Sequence, residues 1–398
     1  MLTKLYRSLL PHHRRVQMRL GLFKLVRVTG AASYLSNFGV LIGKDFLRIG
    51  THNAEKMMHS LIQQNQAQIY HVVEQAQTGF AQHLDDQNSP DLQPTCIVTD
   101  TVVFDLPQES GFSFQQNHIF DRNLNLIGGY RKTFESLPVY YQAFSKATQQ
   151  AGTIAYLSDP TPANYYHWMC ATLPLIRFYK KFFNLEEIDF FYVGQCKLCN
   201  FHLESLAKLN ISSEQLIQTD SVADRMIAAI SSRFLPQFND PISEEAYFFS
   251  RMLFQDAFKH TLQTRKRIYV ARGNVSRRRV INENEVIDLL KNYGFEVVQM
   301  DRKTIAEQAK IFAEAEAIVA PHGAALTNLL FASSGVKVVE LFPQGYVNNC
   351  YYVMSNYAKA DYYYLQGEKI SQTYLDPHYF DTYIDIQKLK LVCQKANF

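Results

Sequence analysis

Residues 268–342 alternate between short, almost purely apolar runs at 268–271, 295–300, 317–320 and 336–342 and segments of helical period at 283–293 and 304–315. This alternation constrains the fold more than any other feature of the chain. A strand that is apolar on both sides needs helices over both, and strand–helix–strand order lays consecutive strands side by side in parallel. The stretch predicts a Rossmann-like unit.

Upstream the same texture is weaker. Strands are predicted at 96–98, 101–104, 154–157 and 190–193, with helices at 165–179 and 203–209, which together make another α/β layer with a largely parallel sheet. Punctuation from Pro236 to Pro241, followed by helical spacing over 244–262, marks the crossing between the halves. The expected fold class is therefore α/β, with two Rossmann-like domains facing a cleft and an α-helical N-terminal extension. The expected divisions are a helical basic arm and linker over 1–93, a first domain over 94–255 and a second over 256–365. A tail over 366–398 is expected to pack back on the first domain.

Hydrophobic residues make up 47% of the chain and charged residues 19%, enough apolar material for more than one core. The net charge of +3 is too small for bulk adhesion to nucleic acid, so any basic function must be local. One such place is the amino-terminal arm, where eight Lys or Arg from Lys4 to Lys44 precede the first acid, Asp45. Charges interrupt its apolar residues, so no spanning helix can be drawn through it. An amphipathic helix there could rest on anionic lipid or pack on its own domain. Six cysteines in a chain of 398 residues do not make a disulfide framework and read as reduced thiols. Cys196 and Cys199 spell C-x-x-C, but only His202 stands nearby as a further zinc ligand, and packed cysteines fit better.

Ligands of open α/β sheets lie beyond the carboxyl ends of the strands, where helix starts offer unpaired N–H groups. Two turns of the second domain occupy such places. The first carries Arg272, Arg277, Arg278 and Arg279, four guanidinium forks in eight residues, suited to a diphosphate. The second runs His322, Gly323, Ala324, Ala325, Leu326, Thr327, Asn328, with Gly323 permitting close approach of backbone to a ligand and His322, Thr327 and Asn328 adding polar groups. A solvated basic loop and a purely structural turn are the plainer alternatives. Neither G-x-G-x-x-G nor G-x-x-x-x-G-K-[ST] occurs, which argues against hydride transfer and P-loop hydrolysis.

In the first domain, Asn164-Tyr165-Tyr166-His167-Trp168-Met169 opens a helix after a proline-rich turn and holds the single tryptophan. His167 is a candidate base there, or a packed ring among aromatics. Asp159, on the loop before that helix, is the alternative base. Glu340, near the end of the last apolar run, could accept hydrogen bonds from ribose or sugar hydroxyls.

Three segments, 164–169, the arginine turn running into Ile281-Asn282-Glu283-Asn284-Glu285, and 320–328 with 329–331 and 338–342 behind it, together resemble glycosyltransferase family 61 in order and spacing. The resemblance covers roughly 159–342. Ala325 departs from it, since the family more often has glycine there, and a methyl is tolerable only if that backbone needs no positive φ.

The resemblance implies an inverting, metal-independent glycosyltransferase of the two-domain GT-B type, with no cofactor beyond its nucleotide-sugar substrate. No D-x-D triplet of the metal-holding alternative fold occurs. A single displacement at the anomeric carbon is expected. His167 or Asp159 would take the acceptor proton, while Arg272, Arg277, Arg278 and Arg279 meet the charge of the departing diphosphate. His322, Gly323, Ala324, Thr327 and Asn328 would bind nucleotide and sugar, and Glu340 the ribose. The expected donor is UDP-linked, carrying a hexosyl or pentosyl group. The expected acceptor is a glycan or lipid-linked glycan of a bacterial capsule or exopolysaccharide, made in the cytoplasm with peripheral contact at the inner membrane face. Two rivals stand outside this reading: a non-catalytic nucleotide- or carbohydrate-binding protein, and a nucleic-acid binder whose affinity falls steeply with salt.

Overall fold

The structure, a computed structural model, describes residues 68–77, 82–83, 96–107, 113–115, 118–120, 147–159, 161–231, 242–259, 266–273, 275, 277–370 and 379–398. The basic arm lies outside these residues. Two sheets organise the rest. The first has the order β1 (Gln68–Gln77), β3 (Cys96–Pro107), β9 (Ser221–Ser231), β6 (Thr148–Tyr156), β7 (Phe190–Tyr192), β8 (Leu216–Ile217), with the short hairpin β4 (Ser113–Gln115) and β5 (His118–Phe120) attached at β9. The second has the order β11 (Phe295–Gln299), β10 (Lys266–Ala271), β12 (Ala315–Pro321), β13 (Lys337–Phe342), β14 (Asp361–Gln366), β2 (Gln82–His83).

Every pairing in the second sheet is parallel, as its apolar strands predict. The first sheet corrects the expectation of a largely parallel layer. Only β9, β6, β7 and β8 run parallel, while β1, β3 and β9 form an antiparallel half. Its sequence explains this, because β3 interleaves Thr99, Asp100, Thr101 and Asp105 with its apolar residues, a pattern that antiparallel strands tolerate and doubly covered parallel strands do not.

The second correction concerns 68–77, expected within a helical arm and linker. Ile69, Tyr70, Val72 and Val73 favour a pleated strand, and β1 pairs with β3 from Gln68↔Asp105 to Gln77↔Cys96. The Glu74 carboxylate accepts a hydrogen bond from Arg177, fastening this edge strand to the helix beneath it. A little further on, β2 pairs with β14 in the other sheet. The same segment thus supplies an edge strand to both.

Helices fill the space between the sheets. From the first half come α1 (Tyr165–His167), a π turn (Trp168–Thr172), a 3-10 turn (Leu173–Leu175), α2 (Ile176–Phe182) and α3 (Asn200–Ala207), followed by α4 (Glu244–Leu253). From the second come α6 (Ile305–Glu314), a 3-10 helix (Ala324–Phe331) and α7 (Cys350–Tyr357). Their apolar faces form one continuous core reaching from Phe191 and Trp168 to Phe312, Ile318 and Leu326. Directed bonds reinforce it: Tyr247 Oη donates to the Leu329 carbonyl at 3.0 Å, and Arg251 Nη1 to those of Leu330 and Ala332 at 2.5 and 3.0 Å. Glu204 on α3 accepts from the N–H groups of Ile305 and Ala306 at 2.8 and 3.1 Å, capping α6 across the junction.

The outer face of the second sheet is covered by α5 (Glu283–Lys291) and α8 (Ile386–Lys395). Here the C-terminal tail departs from expectation. Leu389, Val392 and Cys393 are one apolar face of α8, and they bury against Tyr269, Val286 and Leu290 of the second half rather than on the first. No helix among the described residues is long and apolar enough to cross a membrane.

Candidate active site

The chain leaves β6 through Ser158 and Asp159, which is 1% exposed. Asp159 Oδ1 accepts from both the backbone N–H and the hydroxyl of Thr161 at 2.7 Å, forming the turn before α1. Asn164 caps the helix start, its Oδ1 accepting from the N–H of Tyr166 at 2.9 Å. These two constraints set the ring of His167, whose Nδ1 stands 3.5 Å from Asp159 Oδ1. The structure therefore joins the two alternative base candidates into one pair. Burial alone would raise the Asp159 carboxyl, but the His167 charge and hydrogen bonds from His167 and Thr161 carry it down to about 2, so it is an anion at neutral pH.

The helix behind His167 is not regular. Trp168–Thr172 forms a π turn, a widening that often accompanies functional sites. Ser250 Oγ donates to the carbonyl of Met169 at 2.6 Å within it. Trp168 is fully buried and donates its indole N–H to Ser205 Oγ at 2.8 Å. His202 packs on the same indole, its Nδ1 accepting from the Cys199 N–H and its Nε2 donating to the Pro162 carbonyl, both at 2.9 Å. Both ring nitrogens are thus committed to caps, and burial lowers its pKa, so the residue nearest to the C-x-x-C is a neutral pin for the proline turn.

Two rings connect this region to the histidine–glycine turn. Tyr166 meets Tyr351 edge-on at 5.5 Å, and Tyr351 lies 5.2 Å from the ring of His322. Tyr165 Oη donates to Asn328 Oδ1 at 2.9 Å, and Asn328 Nδ2 donates to Gln308 Oε1 at 2.7 Å and to the Ala325 carbonyl at 3.0 Å. The amide of Asn328 is thereby spent on tying the halves together. Thr327 is buried on the same 3-10 helix.

The arginine turn and the histidine–glycine turn converge. Arg272, at the end of β10, donates Nη1 to the carbonyl of His322. Gly323 has an extended backbone, φ 170° and ψ 169°, so its conformation does not demand glycine. The demand is spatial, since a Cβ there would fall on Arg272 Nη1. Ala325 is not among the positive-φ residues, which removes the difficulty its methyl raised.

The four arginines divide by what they touch. Arg279 is held by Asp381, with Nε and Nη2 to Oδ2 at 2.9 and 2.5 Å and its backbone N–H to Oδ1 at 2.8 Å. Arg277 lies over the Tyr379 ring at 5.0 Å. Arg278 has φ 55°, left-handed and uncommon for a residue with a β-carbon, and its guanidinium carbon is 5.9 Å from the Tyr346 ring centroid. Among the described residues, Arg272, Arg277 and Arg278 form no ion pair with a carboxylate, and the Nε atoms of Arg272 and Arg278 are buried without a hydrogen-bond partner. Burial, with repulsion from Arg278 and Arg277, lowers Arg272 to about 10, which leaves it charged.

Glu340 sits beneath His322 and not at an open edge. Its Oε1 is 2.5 Å from His322 Nδ1 and its Oε2 accepts from Tyr362 Oη at 2.6 Å. Side-chain exposures are 6% for His322 and 0% for Glu340. The His322 ring stacks on Phe342 and meets Tyr346 edge-on. Burial lowers its pKa more than Glu340 raises it, with Arg278 and Arg272 adding to the lowering. Tyr346, Tyr351, Tyr362 and Asp381 were not singled out in the sequence.

Fold and site together give an α/β protein with a histidine–aspartate pair linked through Tyr166 and Tyr351 to His322, which Arg272 of a cationic turn also meets. Residues 165–339 match the family model described as Glycosyltransferase 61, a match that supports the resemblance to glycosyltransferase family 61 over that span. The family indicates glycosyltransferase activity. Comparison with curated proteins gives no match.

Proposed function

We propose that the protein is an inverting, metal-independent glycosyltransferase that moves a hexosyl or pentosyl group from a UDP-linked donor to a glycan or lipid-linked glycan of a bacterial surface polysaccharide, in a GT-B-like arrangement. The observation that carries this reading is the meeting of Arg272 with His322 and Gly323, in a turn where three guanidiniums have no acidic partner among the described residues. Like charges held close together are costly, the more so for the half-buried Arg272 and Arg278, and an anion relieves that cost.

In this mechanism His167, held by Asp159, takes the proton of the acceptor hydroxyl as its oxygen attacks the anomeric carbon. The bond from that carbon to the diphosphate breaks on the opposite face, and the electron pair leaves with the phosphate oxygen. Arg272, Arg277 and Arg278 receive that charge, with Gly323, Ala324 and Thr327 lining the approach. Arg279 is assigned to anchoring the turn through Asp381, Asn328 to joining the halves, and Glu340 to positioning His322. Location in the cytoplasm, at the inner membrane face, belongs to the same proposal. The amino-terminal arm's charge supports it.

The test is a thermal-shift panel of nucleotide sugars and nucleoside diphosphates, followed by donor turnover with and without EDTA. Stabilisation by one nucleotide class and EDTA-resistant turnover are expected. No stabilisation by any member of the panel would refute the donor site.

A further inference from the structure

His322 combines features that a plain phosphate-binding histidine does not need. It is almost completely buried, its Nδ1 is committed to Glu340, and no hydrogen bond to Nε2 is formed among the described residues. The charged and titratable groups around it are Glu340 on β13 with Tyr362 on β14 behind it, Arg272 after β10, Arg278 in the arginine turn, Tyr346 after β13, and Tyr351 on α7. In the empty site two guanidiniums act against a charge on the ring. A diphosphate lying on those guanidiniums cancels that repulsion, and Glu340 is already in place to hold the cation by its other nitrogen.

We propose that His322 binds the donor diphosphate as an imidazolium, taking one proton from solvent as the anion enters, with Nε2 donating to a phosphate oxygen and Nδ1 to Glu340. This rests on the donor-site reading above and adds a proton to it. The departing diphosphate then faces a fourth positive charge, beyond those of Arg272, Arg277 and Arg278. That charge is present only while donor or product is bound. Burial, with Arg278 and Arg272, lowers the His322 pKa, and this limits the mutual repulsion within a cationic site.

The experiment is calorimetric titration of the intact protein with inorganic pyrophosphate and with UDP at pH 8, in two buffers of different ionisation enthalpy. At that pH UDP is fully ionised, so a proton taken up with UDP goes to the protein; pyrophosphate still carries a proton of its own in part and serves to show binding, while the uptake is read from UDP. The expected result for the wild type is uptake approaching one proton, with affinity falling by up to about tenfold per pH unit above neutrality. His322→Gln should bind more weakly and lose both the uptake and the pH slope. Glu340→Gln keeps the ring but removes the anion beneath it, and should move the slope to lower pH, which assigns the proton even if His322→Gln does not fold. Binding by the wild type without proton uptake, or unchanged uptake in either variant, overturns the proposal and leaves the donor site standing. Failure of the wild type to bind pyrophosphate, UDP or any other nucleoside diphosphate overturns both.

Discussion

His167 with Asp159 and His322 with Glu340 each set a histidine Nδ1 against a carboxylate, at 3.5 and 2.5 Å, yet their surroundings set them apart. The first ring is 28% exposed over a buried carboxylate, at the end of a one-turn helix held by Asn164. The second is 6% exposed, walled by Phe342, Tyr346 and Tyr351, with two guanidiniums acting on it. The carboxylate partner orients both rings. What each ring does follows from the remaining charges and from whether a substrate hydroxyl can reach it. A histidine–carboxylate contact alone therefore does not identify a base.

The comparison breaks most visibly at His167. His167→Ala should lower kcat by about a hundredfold or more with little change in donor affinity, since a positioned base contributes about 10²–10⁴ in rate. Saturation kinetics with calorimetry check this, and weakened donor binding at normal kcat would mean the two pairs had been assigned the wrong way round. A smaller effect is expected at the other pair. Gly323→Ala drives its methyl into the Arg272 guanidinium, so UDP affinity should fall about tenfold while kcat changes less, the strain being on the order of 1–3 kcal/mol.

Acid stability sharpens the contrast. With the Asp159 carboxyl at about 2 in the folded protein against an ordinary 3.8, its contribution is complete above the ordinary value and disappears as pH falls through 2. Urea unfolding of wild type and Asp159→Asn should therefore differ by about 2 kcal/mol at pH 5, and the difference should shrink at pH 3 and below. A pH-independent difference would mean that packing and not charge holds the turn. The smallest effect belongs to Asp381→Asn, which loosens the half-exposed pair with Arg279; a stability loss below about 1 kcal/mol and an affinity change of about threefold are expected in the same assays.

The second sheet could be read from the sequence because its first four strands are short, mostly apolar runs separated by segments of helical period, and three of them are buried over most of their length. The parts that escaped lack that signal. β1 is preceded and followed by Gln and His, so its central Ile69-Tyr70 and Val72-Val73 were diluted, and the antiparallel half of the first sheet carries polar residues that blur its strands. β14 reads Tyr362-Tyr363-Tyr364, rings that suit a strand, a helix or a binding surface equally. At the site, sequence order brought out His167, Asp159, Arg272 and His322, each beside a proline turn or a strand end. Their partners could not be read the same way: Asp381 lies about a hundred residues from Arg279, and Tyr362 reaches Glu340 only because β13 and β14 are adjacent. Register supplies those pairings, and a linear pattern of residue types does not contain register.

The edge strands β1 and β2 give the molecule a hem stitched to both sheets. From Gln77 to Gln82 there are only five Cα–Cα steps, a reach of at most about 18 Å. Any gaping of the two halves must first unpick β2 from β14, on the side of the second sheet that follows β13. Jaw-like opening of the halves is thereby left with the higher barrier.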